Sequence, residues 1–191
     1  ETGDTKELEN LEILRRFLKT TWISAEDPDL KFFIYKTAID VGYRPDVIKD
    51  FCGQCKELDI IQVRGDDSVR TRPFRATKIA GGTMYRYDLN VNEYKNRLYR
   101  LLFDSAIPGP GYWHLSKDTT EETLNHLTAE EQRPIRSRRN RRYNLVWVLK
   151  KEHMPNHLWD CKVCSSVAAE ISGAHSLPSL EEIKPRPKKK R

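Results

Sequence analysis

The feature that most constrains the fold is the run FFIYKTAI at residues 32–39, which ends directly at Asp40. Its apolar and aromatic content is that of a buried strand. Gly42 then permits a sharp turn, Pro45 suits the first position of a helix, and Val47, Ile48, Phe51 and Cys52 form that helix's apolar stripe. Residues 60–63 read as the next short strand, so residues 32–63 have the β-α-β form that favours parallel pairing and predict an α/β chain. Asp40 falls at the C-terminal end of its strand, where open α/β sheets hold ligands because the loops diverge there. Aspartate is also favoured as a cap just before helices, and position alone leans towards the cap.

Before this unit, Leu8, Leu11, Ile13, Leu14, Phe17 and Leu18 recur at near-helical spacing and predict an amphipathic helix over about residues 5–20. After it, residues 64–82 carry Arg64, Arg70, Arg72, Arg75 and Lys78 among Gly, Pro, Ser and Thr, the pattern of a long basic loop. Residues 83–89 alternate like a strand, and residues 91–103 show helical spacing of Tyr94, Leu98, Leu101 and Leu102. A short helix is expected at 120–127, a loop through the arginine run 133–142, and a strand at 143–149 (YNLVWVL). The last helix starts near Asn156 and ends before Gly173. One domain over residues 1–173 is expected, followed at 174–191 by a disordered, Pro-rich basic tail.

With 38% hydrophobic and 32% charged residues the chain is expected to be soluble and folded. It has no apolar run of membrane-spanning length and no signal-peptide pattern, which predicts a cytoplasmic protein without a membrane partner. The net charge of +6 is matched by Lys184, Arg186, Lys188, Lys189, Lys190 and Arg191 in the tail, and a second basic run holds Arg133, Arg136, Arg138, Arg139, Arg141 and Arg142. Phosphate is the natural partner of such clusters, although for any single arginine a solvated surface is at least as good a reading.

Cys52, Cys55, Cys161 and Cys164 form two C-x-x-C pairs, but 105 residues separate them and each lies in a helical apolar stripe, which argues against a zinc site. No phosphate loop of the G-x-x-x-x-G-K-[ST] type, no H-E-x-x-H and no nucleophile elbow occurs. Asp160, between Trp159 and Cys161 early in the last helix, is a charged residue in an apolar segment; an arginine, the helix dipole or a metal ion would each satisfy it.

Read in order, these segments resemble the C-terminal nuclease domain of the large terminase subunit of tailed phages, of the lambda-like type. The resemblance rests on TAIDVGYRPDVIKDFC, IIQVRGDDSVRTRPFRATKI, YRYDLNVNEYKNRLYRLL with its Lys95, GPGYWHLSKDTTEETLNHLTAEE, and NHLWDCKVCSSVAAEI, in which Asn156 and Asp160 match while His157 stands where a glutamate is usual. It implies a ribonuclease H-like mixed sheet flanked by helices. Asp40 and Asp160 would then be catalytic metal ligands for Mg²⁺ or Mn²⁺ in a two-metal site that hydrolyses phosphodiesters. A third carboxylate is expected on the family's first strand, ahead of the point where this chain begins, so the N-terminal strands are expected to be missing and the metal site incomplete.

The implied activity is endonucleolytic cutting of concatemeric double-stranded DNA in the host cytoplasm at the packaging complex. The implied partners are the terminase small subunit, the portal protein and the ATPase domain of the same subunit. Arg64, Arg70, Arg72, Arg75, Lys78, Lys95, Arg138, Arg139, Arg141 and Arg142 are the expected DNA contacts, gripping phosphates without reading bases. The alternative reading is a noncatalytic DNA-binding or docking fragment that needs another segment to complete the site.

Overall fold

A computed structural model of the chain describes residues 8–104, 113–136 and 143–177. Helix α1 (Leu8–Leu18) is followed by a hairpin of β1 (Thr21–Ile23) and β2 (Lys31–Phe33), which pair antiparallel. Strand β3 (Thr37–Asp40), helix α2 (Pro45–Gln54) and strand β4 (Ile60–Gly65) form the expected β-α-β unit. They lead into β5 (Phe74–Ile79), β6 (Met84–Leu89) and α3 (Val91–Tyr99). Helix α4 (Glu121–Leu127) precedes a second antiparallel pair, β7 (Glu130–Arg136) and β8 (Tyr143–Leu149), and α5 (His157–Ile171) follows.

The main sheet has the order β3-β4-β6-β5, with β3, β4 and β6 parallel and β5 antiparallel to β6. The fold is therefore mixed α/β, with a mixed sheet flanked by helices. Strand alternation assigns the two faces. Ala38, Ile61, Val63, Tyr87, Leu89 and Phe74 pack with α3 and α5 around Tyr94, Leu98, Trp159, Val163 and Val167. Ile39, Ile60 and Met84 face the other way and pack with α1 and α2 through Leu11, Ile48, Phe51, Cys52 and Cys55. Asp40 has the parity of Ala38, so it belongs to the α5 side, and in register it sits opposite Val63.

Three expectations are corrected. Residues 32–39 do not form one buried strand: β2 ends at Phe33, residues 34–36 leave the sheet, and β3 begins at Thr37. Phe32 and Phe33 are more than half exposed on the hairpin, so their aromatic content reflects a surface rather than the core. The supposed basic loop at 64–82 contains β5, whose FRATKI alternates Phe74 and Ala76 with Arg75 and Thr77 and satisfies its backbone against β6. The arginine run likewise begins inside β7, where Arg133 and Pro134 pair with Val146 and Leu145. Its members Arg138, Arg139, Arg141 and Arg142, and the tail from residue 178, lie outside the described residues. Among the described residues no helix is long and apolar enough to cross a membrane.

Candidate active site

Parallel pairing with β4 carries β3 to its C-terminal end, where Asp40 stands exposed. Its Oδ1 accepts the N–H of Gly42 at 2.9 Å, a local turn that fixes the carboxylate. It does not cap α2, whose N-cap residue is Arg44, in the left-handed conformation and without a side-chain cap bond. A Cβ at Gly42 would lie 3.4 and 3.5 Å from the two Asp40 oxygens, so glycine keeps that edge of the carboxylate clear.

Helix α5 packs across β3 and brings Asp160 to the same side of the sheet. The helix turns Trp159 inward, 2% exposed and flanked by the rings of Trp113 at 6.4 Å and Trp147 at 6.0 Å. The next residue, Asp160, consequently points out, half exposed, from the first turn, where the helix dipole favours an anion. Its direct partners are a lysine and an asparagine: Lys95 Nζ lies 3.0 Å from Oδ1, and Asn156 Nδ2 donates to Oδ2 at 3.1 Å.

Lys95, expected at the DNA, is buried on α3 and faces two carboxylates at once. Its ammonium donates to both oxygens of Glu130 at 2.8 Å while contacting Asp160. Glu130 opens β7, its side chain 6% exposed, and also accepts from Asn156 Nδ2 at 2.6 Å. Sequence reasoning assigned Glu130 no role. It stands among Glu, Gln and Arg that look like ordinary surface, and its partner is 35 residues away. The neighbouring Asn96 continues the tie, with Oδ1 accepting from Gln132 on β7 at 2.7 Å and from the Trp147 indole on β8 at 2.9 Å.

Cys164, one turn after Asp160, senses both acids. Burial first, then the charges of Asp40, Cys161 and Asp160, push its thiol up to about 12. Burial, with a smaller contribution from Cys55, likewise pushes Cys52 up to about 11. The cysteine pairs sit apart: Cys52 and Cys55 belong to the α1–α2 core, while Cys161 and Cys164 lie on α5. Among the described residues no group of three or more His, Cys, Asp or Glu side chains gathers as a metal-ligand set. Asp40 and Asp160 are nonetheless hard oxygen donors of the type Mg²⁺ takes, and that ion keeps several waters and often uses only one or two protein carboxylates beside substrate phosphate.

The arginines divide by place. Arg64 and Arg75 approach the fully buried Asp88 at 3.4 Å each, and Arg75 also bonds Asp66 at 3.0 Å. Burial pushes the Asp88 carboxyl up, but hydrogen bonds from Arg86 and Thr77 and the Arg86 charge outweigh it and hold the group below the ordinary carboxylate range. Arg70 donates to the Asp67 carbonyl at 3.1 Å, Arg72 is exposed, and Lys78 lies 6.0 Å from the centre of the Tyr85 ring.

A parallel β-α-β unit with an acid at the end of its strand, and on the same side of the sheet a helix-borne acid tied through a lysine to a buried glutamate, defines an α/β domain with acidic side chains at its candidate site. The profile of the terminase large subunit gpA endonuclease domain matches residues 2–182, and the chain belongs to that family. No curated protein and no solved structure matches the chain.

Proposed function

We propose that this domain is a metal-dependent endonuclease that cuts concatemeric double-stranded DNA during phage genome packaging, with Asp40 and Asp160 as catalytic metal ligands. The observation that carries the reading is the packing of α5 on β3, which puts the two acids on one side of the sheet, with Asp160 held by the Lys95–Glu130–Asn156 network. Family membership supplies the reaction class. A ribonuclease H-like arrangement is part of the proposal, supported by three parallel strands with an antiparallel neighbour and helices on both faces.

Asp40 and Asp160 would hold Mg²⁺ or Mn²⁺, which when bound supply an activated water and stabilise the leaving 3′-oxygen of the phosphodiester. The chain's own groups prepare the site. The Gly42 N–H orients Asp40, while Asn156 and Lys95 orient Asp160 from opposite oxygens, so neither acid must reorganise when substrate arrives. Lys95 also balances the negative charge of two acids beside which a DNA phosphate must settle. Arg64, Arg70, Arg72, Arg75 and Lys78 would grip phosphates away from the cut. Arg138, Arg139, Arg141 and Arg142 are proposed as further phosphate contacts. The terminase small subunit, the portal protein and the ATPase domain are the proposed partners, and the host cytoplasm at the packaging complex the proposed place of action.

Plasmid nicking with Mn²⁺ tests the reading, with the chain alone and joined to an upstream segment, comparing Asp40→Asn and Asp160→Asn. Each substitution should lower nicking at least a hundredfold, and nicking unaffected by both would sink the proposed site. Duplex binding without nicking by any form would instead support the noncatalytic alternative.

A further inference from the structure

On the face of the sheet turned away from Asp40, the C-terminal half carries a charge cluster built on the buried Asp88 and Gln62. Alternation puts Gln62 and Arg64 of β4, Arg86 and Asp88 of β6, and Arg75 and Thr77 of β5 on this one face, beyond the apolar patch of Ile39, Ile60 and Met84. Register makes them neighbours: Gln62 opposes Arg86, Arg64 opposes Asp88, and Asp88 opposes Arg75.

The cluster has more donors than acceptors. Asp88, 1% exposed at its side chain, receives its two shortest hydrogen bonds from Arg86 Nε at 2.8 Å and the Thr77 hydroxyl at 2.6 Å, one on each oxygen. Arg64 and Arg75 are added only at 3.4 Å, with 43% and 44% of their side chains exposed. Gln62, 3% exposed in register with Arg86, has a buried amide nitrogen without a partner. Three guanidinium groups thus stand against two carboxylates, those of Asp66 and Asp88. Each guanidinium offers five N–H groups in a fixed fork that matches a phosphate oxygen pair. One carboxylate can neutralise only one of the three guanidinium charges. The second and third arginines reach it at longer range, with close to half of each side chain exposed.

We propose that Arg64, Arg75 and Arg86 form a binding site for a phosphate group of the DNA backbone, on the opposite face of the sheet from the carboxylates. Asp88 acts as its internal counter-ion, positioning the guanidinium groups as a rigid plate. The site rests on the reading that the domain acts on DNA and goes beyond it. A phosphate held on this face is not the one that is cut, so the duplex is anchored at a second place while its scissile bond lies at Asp40.

The test is fluorescence anisotropy of a short labelled duplex across a salt series, with the whole chain. The double variant Arg64→Gln/Arg75→Gln leaves Asp88 its two closest partners, and thermal melting verifies its fold. It should bind about tenfold or more weakly at low salt, and the slope of log affinity against log salt should fall by roughly 0.9, the change for one lost phosphate contact. Arg64→Lys/Arg75→Lys, which keeps the charge, should retain most of the slope. An unchanged slope in the Gln variant, with the parent chain binding duplex normally, overturns the site and leaves the nuclease reading intact. A parent chain that binds no duplex at low salt overturns both. A further arm adds inorganic phosphate at the phosphate concentration of the duplex. If it raises the melting temperature as much as the duplex does, the ligand is free phosphate, and the backbone assignment is overturned.

Discussion

Replacing Lys95 with methionine removes the cation that joins Glu130 to Asp160. The cost follows from where each partner stands. Glu130 and Lys95 have side chains 6% and 8% exposed, so their pair is buried, whereas Asp160 at 50% is screened by water. Removing one member of a buried pair leaves an uncompensated charge at a cost of about 3–5 kcal/mol, while the half-exposed contact to Asp160 adds less than about 1 kcal/mol. In Lys95→Met the Glu130 carboxylate keeps, among the described side chains, the Asn156 amide at 2.6 Å. A domain of this size loses about 2–4 °C of melting temperature per kcal/mol, so the expected fall is roughly 6–20 °C. Urea unfolding at matched slope measures the free energy directly. The decisive comparison is the double variant Lys95→Met/Glu130→Gln, which removes the stranded charge and keeps an acceptor for Asn156. It should recover about 2–3 kcal/mol relative to the sum of the two single variants. A Lys95→Met cost below about 1 kcal/mol, or single costs that simply add, would refute the idea that a buried ion pair organises this site.

Three further outcomes are expected. Hydrogen bonds from Lys19 and then Arg15 hold the Glu57 carboxyl down at about 2, below its ordinary value of about 4.3. Because the folded value is the lower one, this tether of α1 is fully present above pH about 4.3 and is lost as pH falls towards 2. NMR titration should find a low midpoint that rises in Lys19→Gln, and a parent midpoint near 4 would count against the tether. Trp159→Ala empties a space between two other indoles and should cost about 3–5 kcal/mol in urea unfolding; a loss below about 1 kcal/mol would mean that the α5 core is not packed as described. Gly42→Ala sets a methyl in van der Waals contact with the Asp40 oxygens, so nicking should fall while the melting temperature stays within a few degrees, and full activity would place the reacting phosphate elsewhere.

The β-α-β unit, the end of its strand at Asp40, the strands at 83–89 and 143–149 and the last helix were legible because each is written in short-range pattern: apolar period, a glycine turn, a proline at a helix start. Asp160 stood out for the same reason, as a charge inside an apolar segment. What local pattern misled was burial. Phe32 and Phe33 look like core and lie on an exposed hairpin, while Arg75 and Lys78 of FRATKI look like a loop and form a strand. Both segments pair with a strand close by in the chain, but whether other elements then cover the pair is settled by packing that no short window contains.

The sequence alone was enough to single out two acids as candidates. Only the folded chain decided their company, because Lys95, Glu130 and Asn156 come from α3, β7 and the start of α5 and meet through packing. The buried Asp88 and the three arginines around it were equally hidden, being drawn together by the register of three strands. A carboxylate can be recognised from its own residue, but its electrostatic environment is a property of neighbours distant in the chain.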